Sequence, residues 1–262
     1  MRRACVLLLF FLLAVIENGA SRAESSFPWL PSHTPQSSDT LAARIAAPQG
    51  FERVVAASGS WAAWLRALPM KPPGSPVLIY TGAPKSRQDV HAAVVDIDVG
   101  KRDLQQCADA VMRLRAEWLF GAGRFADIAF NDSEGKQMRF SARGKPDYAS
   151  FRKYMAFVFA YAGTYSLERE LRPVPIEDVE IGDVVIKGGF PGHAVLVADV
   201  ARNPATGDKR FLLMQSYMPA QEIHVLKNPA NADGSPWYRT DFGAELVTPE
   251  WTFARSSLRR WP

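Results

Sequence analysis

Once a segment with the features of a signal peptide is set aside, this chain holds a single cysteine, Cys107, so no internal disulfide can staple it. Its fold must therefore rest on a hydrophobic core. Met1-Arg2-Arg3 is a short basic start, Ala4 to Ile16 is an almost unbroken apolar run, and Ser21-Arg22-Ala23 puts small residues where a signal peptidase reads. Cleavage is expected after Ala23, removing Cys5. No later stretch approaches the roughly 20 apolar residues of a membrane span. The expectation is a periplasmic or secreted product with no integral membrane segment.

Residues 1–23 carry Arg2, Arg3, Arg22 and Glu17, and their removal leaves 28 basic and 26 acidic side chains. A net charge of +2 is too balanced to argue for nucleic acid as a partner. Residues 24–42, rich in Pro, Ser, Thr and Gln, lack an apolar period and are expected to form a flexible lead-in. Residues 43–262 are expected to form one globular domain.

Period and punctuation predict strands over Phe51–Val55, Val77–Tyr80 and His91–Val99, with a short helix over Ser60–Leu68. A hairpin is expected around Asp132-Ser133-Glu134-Gly135, then a helix from Tyr148 to Ala162 closed by Gly163. Asp103 with Gln106 has the pattern of a capping box, which predicts a helix from Leu104 to about Phe120 and makes Cys107 its fourth residue. Backbone N–H groups and the helix dipole favour a thiolate there. The same residues also fit an apolar stripe of Leu104, Cys107, Ala108, Val111, Leu114 and Trp118, in which Cys107 is one small core side chain. On either reading Arg113, Arg115 and Glu117 fall on the solvated side.

The final third predicts antiparallel sheet, with strands Asp183–Ile186, His193–Val200 and Arg210–Tyr217. A hairpin at Asn203-Pro204-Ala205-Thr206-Gly207 would set His193 across from residues 215–217. A polar side chain there can hold one imidazole nitrogen and leave the other for a thiol. Gln215 is the first candidate, Tyr217 the second and Glu222 the third. The fold class expected is α+β, a Cys-bearing helix packed on an antiparallel sheet in the C-terminal half.

From Arg44 to about Phe253 the chain resembles a domain-of-unknown-function family of exported bacterial proteins. The likeness is carried by Ala93-Val94-Val95-Asp96-Ile97-Asp98-Val99-Gly100, by the run Asp103 to Glu117 around Cys107, by Gly192-His193-Ala194-Val195 and by Gln215 to His224. That family brings no established activity. In element order alone, the chain also resembles papain-like cell-wall hydrolases of the NlpC and CHAP type: a Cys at a helix start, a Gly-Asp strand, a strand opening with His, and a polar residue on the next strand. Cys107, Gly182-Asp183, His193 and Gln215 follow that order, while Gln106-Cys107-Ala108-Asp109 replaces the usual Asp-Cys-Ser-Gly. This resemblance implies a papain-like scaffold and a Cys107, His193, Gln215 catalytic set.

His91, Asp96, Asp98, His193 and His224 are residue types that can ligate a metal, but the chain lacks a His-Glu-x-x-His motif or a Cys pair. No metal and no cofactor are expected. His224 is placed near a sheet edge, as a surface residue. Two functions follow. One is a cysteine hydrolase, an amidase or peptidase of cell-envelope peptides such as those of peptidoglycan. The other is a non-catalytic envelope protein that binds glycan, peptide or a protein through exposed Trp237, Tyr238 and Trp251.

Overall fold

The computed structural model describes residues 27–30, 36–143 and 145–262, so the expected signal peptide lies outside the described residues. In chain order the helices are α1 (Leu41–Arg44), α2 (Trp61–Arg66), α3 (Cys107–Gly121), α4 (Tyr148–Tyr161) and α5 (Thr164–Glu170). The strands are β1 (Glu52–Arg53), β2 (His91–Val94), β3 (Ala129–Asn131), β4 (Gln137–Arg139), β5 (Arg172–Pro173), β6 (Val184–Lys187), β7 (His193–Arg202), β8 (Lys209–Gln215), β9 (His224–Leu226), β10 (Trp237–Arg239), β11 (Glu245–Val247), β12 (Thr252–Ala254) and β13 (Leu258–Arg260).

A mixed α/β architecture results, organised by a large antiparallel sheet in the order β2-β9-β8-β7-β6-β13-β5, with β1 also paired to β7 and β10 to β8. Its centre is β7, whose unbroken apolar run is buried on both faces. Ala194, Leu196 and Ala198 enter one core with α3 and α4, and Val195 and Val197 enter another with Phe211, Leu213 and Phe253. A register shift against β8 between Val197 and Asp199 inserts one residue, after which Val200 joins the second core and Ala201 the first. Asp199, fully buried, is held there by Arg53 at 2.6 Å and Arg66 at 2.7 Å.

Several sequence expectations change. Part of the segment expected as a lead-in is packed: Phe27 and Leu41 are buried, and Trp29 Nε1 donates to the Asp96 carbonyl at 2.7 Å. Val77–Tyr80 forms only isolated bridges, Leu78 with Pro84 and Ile79 with Gln221. Helix α5 and strands β9 to β13 leave no clear mark in the sequence, because seven helical residues or three strand residues hold too little period to register alone.

Candidate functional site

Helix α3 begins at Cys107, three residues later than the capping pattern predicts. Asp103 does not cap it; its Oδ1 accepts instead from Gln106 Nε2 at 3.0 Å and from Ala220 N at 2.7 Å. Asp109 takes over, its Oδ2 accepting from Gln106 N at 3.0 Å and closing the first turn. Cys107 thus opens the helix, which packs against β7.

The thiol is buried, and the backbone N–H groups of Ala108, Ala194 and Cys107 itself act on the sulfur to favour its anion. Burial outweighs them and, with the Asp109 carboxylate added, pushes the thiol up to about 11. The thiolate expected from the helix start is therefore not the resting form at neutral pH. Asp109 is itself pushed up to about 8, mainly by burial and against its helix-capping bonds, and its Oδ1 is buried without a partner.

His193 opens β7, and a glycine must precede it: a Cβ on Gly192 would lie 2.3 Å from Thr164 Oγ1 and 2.5 Å from the Gly189 carbonyl. The imidazole is buried, with its Nε2 2.8 Å from Gln215 Oε1. Tyr217 and Trp251 flank the ring at 4.8 and 5.3 Å between centroids, and Phe253 stacks on it at 5.7 Å. Burial drives His193 down to about 4, with Lys85 adding to the shift and the Gln215 hydrogen bond opposing it. Of the three partners weighed for this ring, Gln215 is the one in hydrogen-bond contact. Tyr217 lies on its flank. Glu222 is engaged elsewhere, with Lys71 Nζ at 2.5 Å and Leu78 N at 3.1 Å.

Two residues that the sequence reading passed over complete this arrangement. Gln215 Nε2 donates to Glu250 Oε2 at 2.8 Å, and the other Glu250 oxygen pairs with buried Lys85. A carboxylate accepts only from the NH₂ end of an amide, so Gln215 must present its oxygen to His193. His193 then carries its proton on Nε2 and keeps Nδ1 basic. Nitrogen-15 NMR of His193 should show the Nε2–H tautomer in the wild type. In Glu250→Gln, whose amide can donate or accept, it should show a mixture. A single unchanged tautomer in that variant would remove Glu250 from the chain.

A cleft of about 340 Å³ opens beside Cys107, walled by Leu104, Phe159, Thr164, the loop Gly189-Phe190-Pro191-Gly192 and Met218. Phe190 is 91% exposed and Met218 54%, so apolar side chains stand at its mouth.

Other candidates are relocated. Arg113 and Glu117 do not face solvent but are fully buried, Arg113 Nε lying 3.2 Å from Glu117 Oε1 and Arg113 Nη2 3.0 Å from Asp98 Oδ2. Helix α4 covers them, with the Tyr148 hydroxyl 2.9 Å from Glu117. Trp237 and Tyr238 are core residues, which removes them as an exposed binding surface. His224 is buried and paired on both sides, with Gln215 of β8 and Val94 of β2, so it does not lie at a sheet edge. Among the described residues no three His, Cys, Asp or Glu side chains converge as a metal site, and no helix is long and apolar enough to cross a membrane.

Fold and site together define a mixed α/β protein in which a helix opened by a cysteine packs on a strand opened by a buried histidine, itself held by a glutamine. The chain belongs to the family described as Domain of unknown function (4846), whose profile matches residues 41–145 and 140–260. No curated protein and no solved structure matches it significantly.

Proposed function

We propose that this protein is an exported papain-like cysteine hydrolase, an amidase or peptidase acting on peptides of the cell envelope. One arrangement supports the reading above all. Helix α3, which opens with Cys107, packs on β7, which opens with His193, and the His193 Nε2 is already committed to Gln215 at 2.8 Å. The nitrogen left basic is the one a thiol needs.

With the thiol near 11 and the imidazole near 4, the resting pair is neutral at pH 7. Reaction then proceeds by general base catalysis instead of through a preformed ion pair. Cys107 Sγ forms a bond to the substrate carbonyl carbon as its proton passes to His193 Nδ1. The carbonyl oxygen takes the negative charge beside the N–H groups at the helix start. As the intermediate collapses, the C–N bond breaks and the amine leaves with the proton from His193. Water, giving its proton to the same nitrogen, then bonds to the acyl carbon; the C–S bond breaks, the carboxylic acid leaves, and the sulfur takes the proton back from His193.

Iodoacetamide labelling of Cys107 tests this. The rate in folded protein should rise as His193 loses its proton near pH 4, then stay level through neutrality. In His193→Ala it should fall at least about tenfold at pH 7 and climb only toward pH 11, where the thiol ionises alone. Labelling that needs unfolding would make Cys107 a core residue and end the hydrolase reading.

A further inference from the structure

A second cleft, of about 370 Å³, adjoins the Cys107 cleft, the two sharing Leu104 and Phe159 in their walls. Apolar residues such as Val99 and Met155 line part of it, yet its charged lining residues are four cations, Lys101, Arg102, Arg152 and Lys153, with no carboxylate among them. Only Arg152 is paired in the described structure, through Nη2 to Asp98 Oδ1 at 2.7 Å. Its Nη1 is buried with no acceptor. Gln105, another lining residue, is 1% exposed and accepts from Arg113 through Oε1, which leaves Nε2 buried with no acceptor either.

Buried N–H donors are normally satisfied, because each one left unpaired carries its full desolvation cost. Two such donors in a cleft with surplus positive charge call for an anionic acceptor, and the apolar wall calls for carbon attached to it. Inorganic ions would supply only the first.

We propose that this second cleft binds the carboxylate of an acidic peptide whose chain runs on across Leu104 and Phe159 to Cys107. The cleft selects peptides with a free carboxylate near the bond presented to the sulfur. This rests on the hydrolase reading only in making the bound peptide a substrate. Binding itself requires no chemistry.

The test uses Cys107→Ala protein, so that turnover plays no part. Calorimetry would compare an N-acetylated leucine-containing tripeptide with a free C-terminal carboxylate, the same peptide as its C-terminal amide, and inorganic phosphate. The acid should bind about tenfold or more tighter than the amide, a preference that shrinks as salt rises. The double variant Arg102→Glu, Lys153→Glu, changed at exposed positions, should keep its melting temperature and lose the preference. Equal binding of acid and amide, an unaltered preference in the charge-reversed variant, or phosphate binding as tightly as the acid would each overturn the proposal. Carboxylate binding in a protein whose Cys107 labels only on unfolding would uphold the cleft and reject the hydrolase.

Discussion

Asp109→Asn should raise the melting temperature at pH 7, and the gain should vanish as the pH approaches 4. Asp109 has an ordinary value of 3.8 and is held near 8 in the fold, chiefly by burial. Above pH 4 the unfolded chain releases this proton while the native state retains it. Native stability therefore falls as pH rises, by about 1.4 kcal/mol per pH unit until the folded group ionises. Between pH 4 and pH 8 the cumulative penalty is on the order of a few kcal/mol, and at pH 7 most of it is already present. Asparagine does not ionise. Its oxygen can still accept from Gln106 N and close the first turn of α3, while its NH₂ stands where the acid would hold its proton.

The same substitution bears on the thiol, since Asp109 ranks after burial among the causes that raise Cys107. In the wild type its charge develops above pH 8 and disfavours negative charge at the sulfur, so labelling of Cys107 should weaken there. In Asp109→Asn that alkaline loss should disappear. Thermal melts and labelling rates from pH 4 to 9 provide the check. Curves for variant and wild type that stay parallel across the range would show that Asp109 does not hold its proton in the fold.

Arg113→Ala should cost about 3–5 kcal/mol, the range for removing one partner of a buried ion pair. The guanidinium is fully buried on α3, bonded to Glu117, the Asp98 carboxylate and carbonyl, and Gln105. Without it Glu117 remains buried on the same helix, with the Tyr148 hydroxyl as its remaining partner. Burial already raises the Glu117 carboxyl, with Arg113 the foremost influence holding it down. The stranded acid would therefore take up a proton, which limits the loss at low pH and enlarges it at high pH. Arg113→Met with Glu117→Met, apolar residues of similar length, should recover much of the stability, because the desolvation of both charges disappears with the pair. Urea unfolding of the three variants at pH 5 and pH 8 separates these outcomes. A single variant as stable as the double one would mean the pair carries little energy.

The distance between expectation and structure follows which features are local. The hairpin around Gly135 forms because turn chemistry acts over a few residues, and α4 ends at Tyr161, one residue short of the expected Ala162, while Gly163 caps the start of α5 instead of closing α4. The loop between β7 and β8 closes at Asn203 to Gly207 and delivers His193 and Gln215 to each other through the register of a single strand pair. Glu250 and Lys85 gave no comparable signal. One lies in the turn between β11 and β12 and the other in a loop before β2, 165 positions apart, and only folding brings them to the far side of Gln215.

Arg113 and Glu117 illustrate the opposite error. Polar residues four apart on a helix ordinarily mark its wet face, but Asp98 and Tyr148 arrive from β2's continuation and α4 to satisfy them in the interior. Polarity reports a need for partners, and water is only the commonest of them.

Residue order alone is enough to say which segments alternate or repeat with helical period, where turns must fall, and that Cys107 precedes a strand-opening His193. Those follow from short-range sterics, hydrophobic period and composition. Tertiary structure decided the environment of each group: the two-sided burial of β7, the start of α3 at Cys107, the high thiol, the low imidazole and the proton on Asp109. Burial and charge are sums over everything packed around a group, and those neighbours come from across the chain.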